Sequence, residues 1–365
     1  MKVAQARISI VTDQAPDSGV GAYAAALYRL LRPAIPGLRL VDAHYFPHLA
    51  YPEATAVDGI RTTERFWEAP GTVRRNYSLL ADESSEVDLW HLTGTHYGLA
   101  GGPVPTVATI HDLYVRRPGV GDVTDVRRLA IEGYSALHTL EVGRQLRRTT
   151  ARVSISRTTH DQLMRQTRLD SEVIYHWTDL PRFRRVDRRG AREGLGLAME
   201  GSLLLNVGSG SLNKNRRVLN DIADRLPAGM KILKVGAPSV APHPRIINLG
   251  LIHPELYPLV FSACDAYVHT STFEGFGRPL LEAMAAGLPV VSTDAPATPE
   301  VLGEAAEYVR PPYDAEQFVA QIHRALSNGR AEELRRLGES RARRFAPEPA
   351  LRAYLELYER ALSRS

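Results

Sequence analysis

The sequence has little cysteine, little lysine and no long apolar run. The shortage of cysteine and the lack of an apolar run each exclude a class of protein. Its 365 residues include a single cysteine, Cys264, which excludes an intramolecular disulfide and a metal site built from cysteines. No apolar run approaches the roughly 18 residues that a membrane-spanning helix needs. The first residues, MKVAQARISIV, lack the apolar region and cleavage site of a secretion signal and are predicted to form the first strand. We therefore expect a cytoplasmic protein.

Lysine is scarce although the chain is basic, with a formal net charge of +4. Lysine occurs only at positions 2, 214, 231 and 234, so each one raises a separate question of role. The arginine excess is concentrated in residues 181–192, PRFRRVDRRGAR, which is typical of a solvated linker and helix surface. A localised excess of this kind does not indicate nucleic-acid binding, and we predict no nucleic-acid partner.

Short apolar runs alternate with helical patterns along the whole chain, which predicts parallel sheets covered by helices. The runs lack strict alternation of polar and apolar residues, as expected for strands buried on both faces. They form two series: 6–12, 89–94, 106–112, 151–156 and 171–176, then 202–210, 231–237, 245–250, 265–271 and 288–293. The sequence therefore predicts two Rossmann-like α/β domains, joined near residues 178–192.

The most informative segment is TSTFEGFGRPLLEAMAAGLPVVST, residues 270–293. A strand is followed by a glycine-containing loop and then a helix, whose N-terminus favours binding of phosphate. Gly275 and Gly277 allow the backbone to approach a ligand closely. Glu274 in the loop and Glu282 on the helix are spaced to reach the same ligand. A carboxylate accepts two hydrogen bonds, which suits the adjacent hydroxyls of a ribose or a hexose.

A second segment, LLLNVGSGSLNKNRRVLND at residues 203–221, predicts a strand, a Gly/Ser loop and a helix. Lys214 falls where the loop meets the helix, and a mobile ammonium suits a diphosphate. Arg216 and Arg217 follow it and are expected to lie on the helix surface.

The segment 270–293 resembles the Glu-x7-Glu signature of the family-4 retaining glycosyltransferases of GT-B fold, and the resemblance extends over nearly the whole chain. It implies two Rossmann-like domains whose parallel sheets face a central cleft. Residues 1–178 would form the acceptor side, residues 179–349 the nucleotide-sugar donor side, and the final helix at 350–365 would pack back on the first domain.

The resemblance also implies roles for the residues of this signature. Glu274 would contact the donor hexose and Glu282 the ribose hydroxyls. The backbone of the loop and helix start would contact sugar and diphosphate at Gly275, Phe276, Gly277 and Arg278. Most relatives carry an aliphatic residue where this chain has Arg278.

The segment 203–221 resembles the donor-phosphate loop of the same family. Gly208 and Lys214 match its glycine and lysine, whereas Ser209 stands where the family has an arginine. Either the diphosphate is neutralised less completely here, or another arginine supplies the charge, and Arg278 is the candidate.

Matches elsewhere in the chain are shorter. Gly19 and Gly21 match a glycine-rich loop near the donor phosphate and the acceptor. His111 matches a histidine that reaches the donor sugar, with Asp112 beside it as a helix cap, while His91 is interpreted as structural. Three further positions are expected around the nucleotide: Gly236, Leu251 and Ile252.

The resemblance implies transfer of a hexose from a nucleotide diphosphate sugar, such as GDP-mannose or UDP-glucose, to a saccharide or lipid-linked acceptor with retention of configuration. Glu274, His111 and Lys214 would be the catalytic residues, with no metal or other cofactor. Two alternatives stay open. The missing arginine at Ser209 suits a catalytically silent sugar-nucleotide-binding subunit, and the pattern at residues 19–24 suits an NAD-dependent oxidoreductase.

Contact with a membrane is a further expectation for a lipid-linked acceptor. Basic and aromatic residues at 63–80, including Arg74 and Arg75, could meet anionic lipid at the inner face of the membrane. The same pattern also fits an ordinary loop and surface helix.

Overall fold

The computed structural model describes residues 2–15, 18–43, 54, 69–94, 97–113 and 140–364. They divide into two compact units, one of residues 1–175 with 348–365 and one of residues 176–347. The predicted domains, 1–178 with 350–365 and 179–349, have nearly the same bounds. No helix among the described residues is long and apolar enough to span a membrane.

The first unit contains a parallel sheet of six strands in the order β2-β1-β3-β4-β5-β6. The strands are β1 (Ile8–Thr12), β2 (Leu38–Asp42), β3 (Leu89–Leu92), β4 (Thr106–Ile110), β5 (Ala151–Ser154) and β6 (Glu172–Val173). Helices cover Gly19–Leu31, Ala69–Asp82, residues 140–146, Arg157–Thr167 and Pro347–Leu362. Strands β1, β3 and β4 are buried throughout, as their apolar runs predict.

The second unit contains another parallel sheet, in the order β12-β11-β10-β7-β8-β9. Its strands are β7 (Ser202–Gly208), β8 (Met230–Gly236), β9 (Ile246–Gly250), β10 (Ala266–His269), β11 (Val290–Thr293) and β12 (Ala306–Val309). Its α-helices cover Arg188–Gly194, Arg217–Arg225, Tyr257–Ala263, Arg278–Ala285, Thr298–Leu302, Ala315–Ala325 and Arg330–Ala342. The predicted α/β class with two Rossmann-like sheets is confirmed.

Two strands, β2 and β12, were not predicted. Each stands at one end of the strand order of its sheet, and Leu40 of β2 also forms an isolated parallel bridge to Ala54. Their sequences, LRLVD and AEYV, are short and interrupted by charged residues, which weakens the apolar signal of a strand. Arg39 of β2 pairs with Glu83, and Glu307 of β12 pairs with Arg330.

The basic segment 181–192 is not only a solvated linker. Arg192 is fully buried, and its guanidinium donates hydrogen bonds to carbonyl oxygens, including those of Ala263 and Gly201. Arg188 pairs with Asp265 at 2.6 Å. The segment thereby fixes the chain before β7 to the turn before β10.

The strand order places a topological switch point in each sheet, between β1 and β3 and between β7 and β10. Ligands of open parallel sheets bind beyond the carboxyl ends of the strands at such points. Strand β7 ends at Gly208 and β10 at His269, so the two predicted ligand loops begin at the switch point of the second unit.

Candidate functional site

The loops that follow β7 and β10 are tied to each other by hydrogen bonds. The backbone N–H of Thr272 donates to the carbonyl oxygen of Asn213 at 2.8 Å, and the Asn213 side chain donates to the Phe273 carbonyl at 3.0 Å. The Thr270 hydroxyl donates to the carbonyl of Lys214 at 2.8 Å. These bonds hold the two predicted ligand loops next to each other.

Glu274 lies between two basic side chains. The Lys214 ammonium donates to its Oε1 at 2.5 Å, and Nε2 of His269 lies 3.2 Å from the same oxygen. Glu274 is buried, which favours its neutral form, but the ammonium of Lys214 and the contact with His269 outweigh burial and hold the pKa of this carboxyl well below its usual range. The site therefore presents a fixed carboxylate at neutral pH.

His269, at the end of β10, was not predicted as a site residue. It is buried, and its ring stacks on that of Tyr267 with centroids 6.1 Å apart. The sequence signal was a histidine at a strand end five residues before Glu274.

Glu282 has different partners from Glu274. It is buried on the helix Arg278–Ala285, where its Oε2 accepts a hydrogen bond of 2.7 Å from the Tyr257 hydroxyl. Arg278, one helical turn before it, approaches Oε1 at 3.8 Å. Burial raises the pKa of Glu282, and Arg278 and the Tyr257 hydroxyl oppose that rise. The Arg278 side chain therefore faces the predicted ribose-binding carboxylate.

The helix that carries Glu282 begins directly after Gly277, which has a φ of +89°. The positive φ is the reason for glycine here, because the 2.7 Å contact between an added Cβ and the Leu280 Cδ1 methyl could be relieved by movement of that side chain. No described side chain caps this N-terminus. Phe276 is buried, and its ring packs 5.2 Å from the ring of His176 and 5.5 Å from that of Phe345.

The loop after β7 is held by its neighbours. The Gly208 carbonyl accepts hydrogen bonds from the Ala237 N–H and from the Lys234 ammonium, both at 3.0 Å. Gly236 has a φ of +87°, and a Cβ there would lie only 2.5 Å from the Gly208 oxygen. Ser209 is exposed, and its hydroxyl lies 3.1 Å from that of Ser211.

Arg216 does more than occupy a helix surface. Its guanidinium donates to the Pro238 carbonyl at 2.6 Å and to the Gly210 carbonyl at 3.4 Å, which joins the loops after β7 and β8.

Leu251 and Ile252 follow β9, and the Leu251 side chain is 76% exposed. Leu251 is therefore open to contact with a ligand or another molecule.

The first unit carries the remaining candidates. His111 follows β4, and its Nε2 lies 3.1 Å from the Thr93 carbonyl, while its ring meets that of Tyr23 edge-on at 4.7 Å. Asp112 next to it is exposed. Gly19 and Gly21 lie inside the helix Gly19–Leu31, whose N-cap is Ser18, so the prediction of a glycine-rich loop was wrong. The first turn of a capped helix replaces it.

His91 is fully buried in the same unit. Its Nδ1 lies 2.5 Å from the Tyr358 hydroxyl and its Nε2 lies 2.7 Å from the Thr109 hydroxyl. Burial and the nearby His111 lower its pKa to about 3, so the ring is neutral and joins the terminal helix to the sheet.

Two further predictions concern contact with a membrane and the binding of metal. Arg74 and Arg75 are exposed on the helix Ala69–Asp82, but residues 63–68 of the predicted membrane patch fall outside the described residues. Within the described ranges, no group of three or more histidine, cysteine, aspartate or glutamate side chains is arranged to hold a metal ion.

Comparison with known proteins gives the geometry a family context. Residues 244–344, which include Glu274, Arg278 and Glu282, match the family model "Glycosyl transferases group 1". The crystal structure of HepE from Anabaena in complex with UDP and glucose superposes with a TM-score of 0.78 at 17% identity, over 97% of this chain and 100% of that one. The chain has the GT-B fold, and the match to the group 1 glycosyltransferase model is confined to residues 244–344.

Two curated proteins share part of the sequence. An MMP alpha-(1->4)-mannosyltransferase from Mycolicibacterium hassiacum is 39% identical over 121 residues, which is 32% of this chain and 29% of that protein. The O-antigen chain mannosyltransferase B of Escherichia coli is 39% identical over 80 residues, which is 22% of this chain and 21% of that protein. The matched stretches thus span less than a third of each relative.

Proposed function

We propose that this protein is a retaining glycosyltransferase of family 4. It moves a hexose from a nucleotide diphosphate sugar to a saccharide or lipid-linked acceptor. The observation that carries the proposal is the pairing of Lys214 with Glu274 at the switch point of the second sheet, inside loops that are tied together. The group 1 domain supports the same class of reaction.

The charges at this site suit departure of a nucleoside diphosphate. Cleavage of the donor leaves positive charge on the anomeric carbon and negative charge on the diphosphate. Lys214 and the start of the helix Arg278–Ala285 would stabilise that negative charge. Glu282, held by the Tyr257 hydroxyl, would accept hydrogen bonds from the ribose.

The other end of the donor is assigned to Glu274 and His111. Glu274 stays ionised and would bind hydroxyls of the hexose, while the neighbouring Lys214 meets the diphosphate. His111 would contact the same sugar. A same-face reaction, in which the leaving phosphate assists removal of the acceptor proton, would retain the anomeric configuration.

The relatives narrow the choice of donor. Both curated relatives are named as mannosyltransferases, and the HepE crystal structures hold UDP with glucose or UDP-glucose. GDP-mannose and UDP-glucose are therefore the first donors to test. The nucleotide sugar and the acceptor, with no metal or other cofactor, would suffice for the reaction.

A thermal-shift panel of nucleotide sugars tests donor binding. A true donor at about 100 times its dissociation constant should stabilise the protein by about 2.7 kcal/mol. Transfer to candidate acceptors is then followed by NMR, where the anomeric proton of the product reports retention. Glu274→Ala is the inactive control. Donor binding without hydrolysis or transfer would instead support the alternative of a catalytically silent sugar-nucleotide-binding subunit, which the serine at position 209 suits.

A further inference from the structure

Lys234 is a buried lysine without an acidic partner. It lies on β8 with no exposed surface, and its Nζ donates to the Gly208 carbonyl at 3.0 Å and to the Val235 carbonyl at 2.8 Å. Lysine is almost never fully buried unless a counter-charge pairs with it. Among the described residues, no carboxylate lies within ion-pair distance of Lys234.

The charged groups that face Lys234 are cations. Burial disfavours the charged form of Lys234. Two cations add to this effect: Arg216, directly before the helix Arg217–Arg225, and Lys214, in the turn that precedes it. Together they lower the pKa of Lys234 to about 7. Lys214 has a carboxylate partner in Glu274, whereas Arg216, among the described residues, binds carbonyl oxygens only.

Three basic side chains, Lys214, Arg216 and Lys234, therefore converge on the loop Gly208–Ser211, with one carboxylate among their partners. A buried cation of this kind is stabilised when an anion arrives. The loop that Lys234 holds through the Gly208 carbonyl is the one proposed to receive the donor diphosphate.

We propose that Lys234 is the third basic group of the diphosphate site, which gives up its proton in mildly alkaline solution when the site is empty and keeps it when a nucleoside diphosphate is bound. This inference rests on the proposed function. Lys234 acts as a positioning residue, since it meets the ligand through the loop and through its charge.

Proton uptake on binding is the direct test. UDP and GDP are titrated into the full chain by calorimetry at pH 8, in two buffers with different ionisation enthalpies. This pH lies well above the phosphate's own second pKa of about 6, so uptake reports on the protein. We expect uptake of roughly 0.5–0.9 proton per site, and a dissociation constant that rises by up to about tenfold per pH unit above pH 7.

Three substitutions separate this role from a structural one. Lys234→Met should abolish the proton uptake and weaken binding. Lys231→Met, which alters the exposed lysine on the same strand, should leave both unchanged. Lys234→Arg should bind without proton uptake and with little pH dependence, because arginine stays charged throughout this range.

The outcomes also separate this inference from the proposed function. Binding of UDP or GDP by the unaltered protein without proton uptake would overturn the role of Lys234 and leave the proposed function standing. Unchanged uptake in Lys234→Met would do the same. If no nucleoside diphosphate binds at any pH, both proposals fail. Should Lys234→Met not fold, the proton count of the unaltered protein decides alone.

Discussion

The Lys214 ammonium lies 2.5 Å from Oε1 of Glu274, so a residue assigned to the diphosphate and one assigned to the hexose form a single ion pair. The pair is formed within the second unit and requires no other part of the chain. Its consequence is that neither residue can be altered without changing the electrostatics of the other.

Glu274→Gln should spare binding of the nucleoside diphosphate but lower turnover with the sugar donor. The amide keeps the size of the side chain and removes the charge that Lys214 and His269 hold in place. Lys214 is then released toward the diphosphate, so nucleotide affinity should be equal or higher. Calorimetry and transfer rates measure the two effects.

Lys214→Met and the double variant complete a cycle with Glu274→Gln. Because the two side chains share an ion pair, their effects on turnover should be clearly non-additive. Loss of nucleotide affinity in a folded Glu274→Gln protein would show that Glu274 had been assigned to the wrong end of the donor.

Glu282→Ala should weaken binding of the free nucleoside diphosphate. Loss of hydrogen bonds to a charged acceptor costs about 1.5–3 kcal/mol, or a roughly 10- to 150-fold change in the dissociation constant. Tyr257→Phe is the matched control, since it removes the donor to Oε2 and keeps the carboxylate. An unchanged dissociation constant in folded Glu282→Ala would reject the ribose role.

The sequence predicted the two sheets and the loops at their carboxyl ends, because apolar runs and the segment 270–293 are local signals. The roles of Lys234 and His269 could not be predicted in this way. Burial of Lys234 against Gly208 depends on the pairing of β8 with β7, which joins residues far apart in sequence. Lysine scarcity singled out Lys234 without indicating its partner.

The error at Gly19 and Gly21 has a different, local cause. A G-x-G pattern occurs in loops and in helix starts alike, and the Ser18 side chain decides between them by accepting from the Gly21 N–H at 2.9 Å. The pairing of Arg278 with Glu282 is local, at a spacing of four residues, and could have been predicted from the helix period.

Gly236→Ala should disrupt the loop after β7 and lower nucleotide affinity. A Cβ there meets the Gly208 oxygen at 2.5 Å, and the backbone has a φ of +87°. Gly229→Ala is the control, since its φ is +81° but nothing lies within 4 Å of the added atom. Both variants should lose about 1–2 kcal/mol of stability from the backbone alone. Equal nucleotide affinity in the two variants would contradict the role given to the Gly208 carbonyl.

Arg278→Leu should cripple transfer if this side chain supplies charge to the departing diphosphate. Charge-assisted contacts of that kind are worth about 2–4 kcal/mol, or a roughly 30- to 1000-fold loss of rate. Adding Ser209→Arg should restore part of the rate, because the second arginine would serve the same phosphate from the other loop. Near-normal turnover of Arg278→Leu would mean that Arg278 serves only Glu282, which it already faces at 3.8 Å.

The terminal helix should loosen in acid because of His91. The folded protein keeps this ring neutral with a pKa of about 3, whereas the unfolded chain protonates it near 6.5. Between these values the open state binds more protons, so the opening free energy falls as the pH drops, by up to about 1.4 kcal/mol per pH unit. Native-state hydrogen exchange of Pro347–Leu362 measures this, with the amides of Ala315–Ala325 in the second unit as an internal control. His91→Gln removes the titrating ring that contacts the Tyr358 hydroxyl. The slope of the opening free energy against pH should therefore shrink below pH 6.5. An unchanged slope would assign the acid sensitivity of this helix to groups other than His91.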